Sequence, residues 1–65
     1  MVKRKAGKLH IYSSEDLLSM SIYSRNGNCL LSEELSKKEK DISDLIGDLL
    51  VVLNFIGGGY FTSMV

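Results

Sequence analysis

The sequence predicts a small α+β domain of order β-β-β-α-β, in which one amphipathic helix packs on one face of a short antiparallel sheet. Three observations favour this class. Apolar and polar residues alternate over residues 8–12 and 18–23, an Asn-Gly pair separates two apolar runs, and apolar residues recur at helical spacing over residues 42–56. We therefore divide the chain into a flexible basic tail, residues 1–7, and a single domain, residues 8–65.

Two strands are predicted before the Asn-Gly pair. Leu9 and Ile11 alternate with His10, which indicates a short strand. Residues 13–16 have two interpretations, because they suit either a turn or a helix that begins with Ser14 as its N-cap. We favour the turn, since the next residues alternate and place one set on a single face of a second strand: Leu18, Met20 and Ile22.

The pair Asn26-Gly27 is the clearest turn signal. Both residues tolerate positive φ angles, which the type I′ turn of a two-residue hairpin loop requires. The register that follows places Ile22 opposite Leu31, Tyr23 opposite Leu30 and Ser24 opposite Cys29.

A helix is predicted next, followed by a last strand. Ser36 and Glu39 have the spacing of a capping box at a helix start, and Gly57 suits the left-handed residue that ends a helix. The stripe between them has spacings of three and four: Ile42, Leu45, Ile46, Leu49, Leu53 and Ile56. Residues 60–65 are rich in strand-forming side chains.

Two apolar surfaces are candidate partner-binding sites. Val51 and Phe55 point away from the helical stripe, so the second half of the helix is apolar nearly all round. Either the C-terminal strand covers them, or a second subunit or a target protein does. The other candidate surface is the outer sheet face, with Tyr12, Tyr23 and Leu30.

Chain length favours self-association. Sixty-five residues form one domain with a thin margin of stability, which small proteins increase with disulfides, metals or a partner subunit. Cys29 is the only cysteine, so an intramolecular disulfide is excluded, and with His10 it gives too few ligands for a structural zinc site. We therefore expect a homodimer. The single thiol and the lack of an apolar signal segment favour a cytoplasmic location.

No constellation in the sequence favours catalysis or a cofactor. His10 and Cys29 fall on opposite sheet faces in the predicted register and lack an orienting group. Asp41, Asp44 and Asp48 are spaced along one face of the predicted helix and are interpreted as solvated. The glycines at 57–59 follow a helix end, where the dipole repels a phosphate.

The expected function is therefore non-catalytic: a small protein-binding regulator or inhibitor that acts as a homodimer. Its size and class are those of accessory proteins encoded by phages and mobile elements, which is an analogy and not a likeness of residues. The alternative is nucleic-acid binding through the basic tail, with Lys3, Arg4, Lys5 and Lys8. A membrane segment is disfavoured, because the uncharged residues 49–65 include three consecutive glycines.

Overall fold

The computed structural model describes residues 1–34 and 37–65, and this part of the chain forms strands and no helix. One antiparallel sheet has the strand order β1-β2-β5 and the other has the order β4-β3-β6-β7. The strands are β1 (Val2–Lys5), β2 (Lys8–Ile11), β3 (Leu17–Ser24), β4 (Cys29–Glu34), β5 (Glu39–Asp41), β6 (Leu49–Phe55) and β7 (Tyr60–Met64).

The inward side chains of both sheets meet in one core. The three-stranded sheet contributes Val2, Leu9 and Ile11. The rest of the core comes from the loop residue Ile42 and from β3 and β6: Leu17, Met20, Ile22, Leu49, Val51, Leu53 and Phe55. Burial of these side chains is the main favourable term in folding, at about 1.5–3 kcal/mol for each fully buried large apolar side chain.

The side chains of Lys40 and Arg4 make polar contacts with other parts of the chain. Lys40 Nζ of β5 lies 2.7 Å from Glu33 Oε1 of β4, so an ion pair spans the facing edges of the two sheets. Arg4 of β1 donates hydrogen bonds to the carbonyl oxygens of Leu45 and of Gly47, the latter at 2.7 Å. The loop between β5 and β6 is thereby fixed to the three-stranded sheet.

The predicted helix is wrong, and with it the α+β class. The run Leu49–Phe55 is the strand β6, in which buried and half-buried residues alternate. β6 lies between β3 and β7 and pairs with both, so its backbone groups are satisfied within the sheet. A continuous apolar run suits a central strand as well as a buried helix, and here the pairing partners on both sides favour the strand.

The strand β5 and a loop occupy the first half of the predicted helix. Ser36, the predicted N-cap, lies outside the described residues, and Glu39 begins β5. Residues 42–48 form a loop that contains Gly47 at a φ of 87°. Gly57 ends no helix, since it lies in the turn between β6 and β7.

A strand occupies the position of the predicted mobile tail. β1 pairs with β2 along its whole length, and Val2 packs into the core. The two strands are joined by Ala6 and Gly7, both with positive φ, at 52° and 75°. This is the pattern of a type I′ turn, which matches the twist of the flanking strands. The sequence did not indicate it, because alanine is uncommon at such a position.

The predicted hairpin between β3 and β4 exists, but its turn differs. Ile22 lies opposite Leu31, as predicted. Gly27 has a φ of 88° and donates its N–H to the Ser24 carbonyl, whereas Asn26 keeps an ordinary negative φ. The loop is therefore a type I turn closed by a left-handed glycine, which needs three loop residues. The loop is thus one residue longer than predicted, and this shifts the register next to the turn. Tyr23 lies opposite Cys29 and not opposite Leu30.

The remaining strand predictions are confirmed in outline. β2 buries Leu9 and Ile11, and a strand fills most of residues 60–65. Residues 13–16 form no helix, and the Ser13 hydroxyl accepts the N–H of Glu15. A register shift between residues 17 and 19 places Leu17 in the core and leaves Leu18 exposed, which reverses the prediction for Leu18.

The left-handed conformation of Ala6 gives a stability prediction. Asparagine tolerates positive φ better than alanine, so Ala6→Asn should raise the free energy of unfolding by about 0.5–1 kcal/mol. Ala6→Val should lower it, because a β-branched side chain is strongly disfavoured there. Thermal unfolding followed by circular dichroism measures both changes. A melting temperature lowered by asparagine would contradict the turn.

The alternation along β6 gives a second prediction, with a matched control on the same strand. Val51 is fully buried, whereas Val52 lies on the outer face opposite Ser21 and Thr62. Val51→Thr should lower the free energy of unfolding by about 1–3 kcal/mol, because a hydroxyl is buried without a partner. Val52→Thr should change it by less than about 0.5 kcal/mol. Urea denaturation compares them, and equal effects would contradict the strand.

Candidate functional site

The outer face of the four-stranded sheet consists of three rows of side chains that cross all its strands. Directly opposed residues of an antiparallel pair point to the same face, so the registers define each row. The apolar row contains Cys29, Tyr23, Leu50 and Met64, the hydroxyl row contains Ser32, Ser21, Val52 and Thr62, and the polar row contains Glu34, Ser19, Asn54 and Tyr60. Hydrogen bonds within the last two rows join Ser21 to Ser32 and Asn54 to Ser19.

A groove of about 310 Å³ lies at the apolar row, beside the turn between β3 and β4. Tyr23, Leu50 and Met64 supply its apolar wall. Ser24, Arg25 and Gly27 of the turn supply the rest. Neighbouring strands therefore fix the backbone positions of the apolar wall, and a tight turn fixes those of the polar rim.

The rim of the groove carries one positive charge. Arg25 Nη1 lies 3.7 Å from Asp48 Oδ2, and both side chains are mostly exposed. An ion pair of this length and exposure contributes little, so the guanidinium is available to another carboxylate. Among the described residues that line the groove, none is histidine, cysteine, aspartate or glutamate. The arrangement thus suits binding of an apolar side chain with an acidic neighbour.

Val51 and Phe55, predicted to bind a partner, are not on the surface. Val51 is 0% exposed and Phe55 is 6% exposed. In a strand, alternate residues share a face, so both point inward with Leu53. Both sequence interpretations, cover by the C-terminal strand or by a second subunit, assumed a helix. The two sheets of the chain itself cover these side chains.

Tyr12, Tyr23 and Leu30 do not form one patch. Tyr23 lines the groove, whereas Tyr12 follows β2 of the other sheet and is bonded through its backbone to Met1. Leu30 lies at the β3–β4 register shift and has no residue of β3 directly opposite it. It lines a separate cavity of about 200 Å³ beside Lys40 and Asp41.

The four predicted nucleic-acid-binding residues differ in their contacts. Lys3 and Lys5 are exposed on the outer face of the three-stranded sheet. Arg4 points the other way and binds loop carbonyls, and Lys8 Nζ lies 3.1 Å from Glu39 Oε1. The same face carries Glu39 opposite His10 and Asp41 opposite Lys8, so its basic edge borders an acidic one.

Asp41 supports a turn. Its Oδ1 accepts the backbone N–H of Ser43 at 2.9 Å, and this bond, together with nearby Lys8 and Lys40, lowers the pKa of the Asp41 carboxyl. The charged form is therefore the one that the fold favours, and it is lost only as the pH falls through the lowered value. A base that is hard to protonate and that lies on the surface is a poor candidate for proton transfer.

His10 and Cys29 lie in different sheets, so the fold does not bring them together in one strand pair. His10 is on β2, between Lys3 and Glu39, and the exposed thiol of Cys29 is on β4. Over residues 1–34 and 37–65, no three histidine, cysteine, aspartate or glutamate side chains cluster as metal ligands. The same part of the chain contains no helix that is long and apolar enough to cross a membrane.

The sequence indicated only one residue of the groove, Tyr23. Leu50 was missed because it was assigned to a helix, and Met64 was missed because the strand beside it, β6, was not recognised. Reading residues 49–55 with a period of two would have placed Leu50 on the face opposite Leu49 and Val51. No protein-family model, no curated protein and no solved structure matches this chain.

Proposed function

We propose that this chain is a non-catalytic protein-binding regulator or inhibitor that acts as a homodimer in the cytoplasm. The groove formed by Tyr23, Leu50 and Met64 carries the proposal, because it is an apolar recess on a face that is otherwise rich in hydroxyl groups. An exposed apolar recess with a polar rim is typical of a protein-interaction site.

The size and the chemistry of the groove suggest what it binds. A volume of about 310 Å³ is at the lower end for a small-molecule pocket and suits one or two side chains of another protein. Met64 is 58% exposed and flexible, so it can adapt to the shape of an apolar side chain. Arg25 at the rim favours a partner that carries a carboxylate next to that side chain.

Self-association and a cytoplasmic location are parts of the same proposal. Short chains have a thin margin of stability, and a second subunit increases it. The exposed thiol of Cys29 has no second cysteine with which to pair in the chain, and it suits a reducing compartment.

Nucleic-acid binding has less support. It would rely on Lys3 and Lys5, because Arg4 and Lys8 have partners within the chain. It predicts an affinity that falls steeply with salt and is lost in a Lys3→Gln, Lys5→Gln double variant. The protein-binding proposal predicts that this double variant keeps its partner.

The groove is tested by placing a lysine at either of two positions of β6. Leu50 and Val52 are both half-buried and face outward, but only Leu50 lines the groove. Leu50→Lys should weaken binding of a native partner about 10- to 100-fold, because a buried apolar contact of about 1.5–3 kcal/mol is lost. Val52→Lys should leave binding within about threefold of the wild type, as expected of a residue outside the contact.

The measurement is cross-linking in host cells, followed by affinity purification and quantitative mass spectrometry of the captured proteins. Circular dichroism spectra of both variants serve as the folding control. A protein that is captured by the wild type and by Val52→Lys, but is lost with Leu50→Lys, supports the proposal. Equal capture by Leu50→Lys and the wild type would reject the groove as the site.

A further inference from the structure

The strand β7 ends the four-stranded sheet, and the backbone groups of its alternate residues point away from the protein. Leu49 and Val65 exchange two hydrogen bonds, from the Leu49 N–H at 3.0 Å and from the Val65 N–H at 2.9 Å. In an antiparallel ladder such pairs alternate, so Phe61 and Ser63 also bond to β6. The N–H and C=O groups directed outward are consequently those of Tyr60, Thr62 and Met64.

The described edge strands differ in how they are protected from pairing with another chain. β1 has three consecutive basic residues, β4 has two glutamates and a register shift, and β5 has three residues, all charged. β7 has five residues, none of them charged and none of them proline, and its register with β6 is regular. Charges, bulges and short length are the features that prevent edge-to-edge association, and β7 has none of the three.

We propose that β7 pairs antiparallel with β7 of a second copy of this chain, across a twofold axis at Thr62, and that Tyr60 of the second copy extends the apolar row of the groove beyond Met64. This deepens the proposed function and rests on it for the role of the groove. The pairing makes one continuous sheet from the four-stranded sheets of the two copies.

A second copy can satisfy the whole outward edge of β7. The outward residues are placed symmetrically about Thr62, so an axis there pairs Thr62 with itself and Tyr60 with Met64. Each of these pairs exchanges two hydrogen bonds, and every outward backbone group is satisfied. No charge on β7 opposes its own copy across the axis.

The exposed side chains of β7 are also complementary to one another. Tyr60 is 74% exposed and, like Met64, points to the outer face. Pairing places the ring of Tyr60 beside the thioether of Met64 in the other copy, a favourable contact. Phe61, partly exposed on the inner face, is placed beside Ser63 of the other copy.

The groove gains a residue from this pairing. In one copy, the apolar row ends at Met64, at the free edge of the sheet. Tyr60 of the second copy lies next to Met64 on the same face, because directly opposed residues share a face. The apolar row then has aromatic rings at two positions, Tyr23 and Tyr60 of the second copy. Both grooves of the dimer open on one face of the continuous sheet.

The test measures mass over a dilution series by analytical ultracentrifugation. The contact is a single strand pair, smaller than the about 800 Å² per partner of a standard interface, so the dimer should dissociate on dilution. The wild type should change from twice 7.2 kDa to 7.2 kDa. Thr62→Lys should remain at 7.2 kDa at every concentration, because two lysines meet at the axis.

Two further variants control for folding. Ser32→Lys places the same charge in the same hydroxyl row at the opposite edge of the sheet, and it should dimerise as the wild type does. Thr62→Pro removes an N–H that makes no bond to β6, so the monomer should keep its circular dichroism spectrum and lose the dimer. A wild type of 7.2 kDa throughout, or a Thr62→Lys variant that dimerises normally, would overturn the proposal.

Amide exchange identifies the occupant of the edge. In the dimer, the amides of Tyr60, Thr62 and Met64 should become protected at high protein concentration, while those of Phe61 and Ser63 are protected at every concentration. Protection that appears only when another protein is added would assign the edge to that protein and reject the second copy. Loss of the dimer in Thr62→Lys with undiminished partner capture would reject the contribution of Tyr60 and the homodimer as the active form, and it would leave protein binding at the groove standing.

Discussion

The packing of β6 between β3 and β7 is the interaction on which the rest of the structure depends. Its inward residues Leu49, Val51, Leu53 and Phe55 are all buried. Val51, Leu53 and Phe55 lie opposite buried residues of β3, so the strand pairing and the core form together. The outward residues of the same strand then have fixed positions, and this places Leu50 in the groove and Val52 outside it. Core and candidate site are therefore two faces of one strand.

The second sheet is held to this strand pair by the shared core and by polar contacts at its borders. Lys40 lies opposite the buried residue Leu9, and Glu33 lies opposite the buried residue Met20. Both charged side chains therefore point toward the space between the two sheets, at the edges formed by β5 and β4. Inward charges at a sheet edge are poor partners for another chain, and here each neutralises the other. Arg4 has a comparable role at the loop after β5.

How much of this could be predicted depends on how local the signals were. The strand at Leu9 and Ile11 and the pairing of Ile22 with Leu31 followed from short-range alternation and a turn, and both are confirmed. The helix failed because seven consecutive residues, six of them apolar, carry no period of their own, and long-range pairing with β3 and β7 decided their structure. One local signal was available: Gly47 would have lain inside the helix, at a cost of about 1 kcal/mol relative to alanine. The groove could not be predicted once β6 was assigned to a helix, since the residues of the groove come from strands that are distant in the sequence.

The distribution of charge along the chain has a structural reason. Residues 49–65 carry no charged side chain, and they contain β6 and β7. For the inward residues of β6 the reason is burial, because Leu49, Val51, Leu53 and Phe55 form part of the core, where an unpaired charge is costly. Burial does not account for β7, whose Tyr60, Phe61 and Met64 are exposed in the single chain. The other edge strands carry charges, so an uncharged edge is the exception in this fold. The absence of charge from β7 is explained if this edge is covered in the assembly that functions. Pairing with β7 of a second copy covers the edge, and it also lengthens the apolar row at which we place the partner.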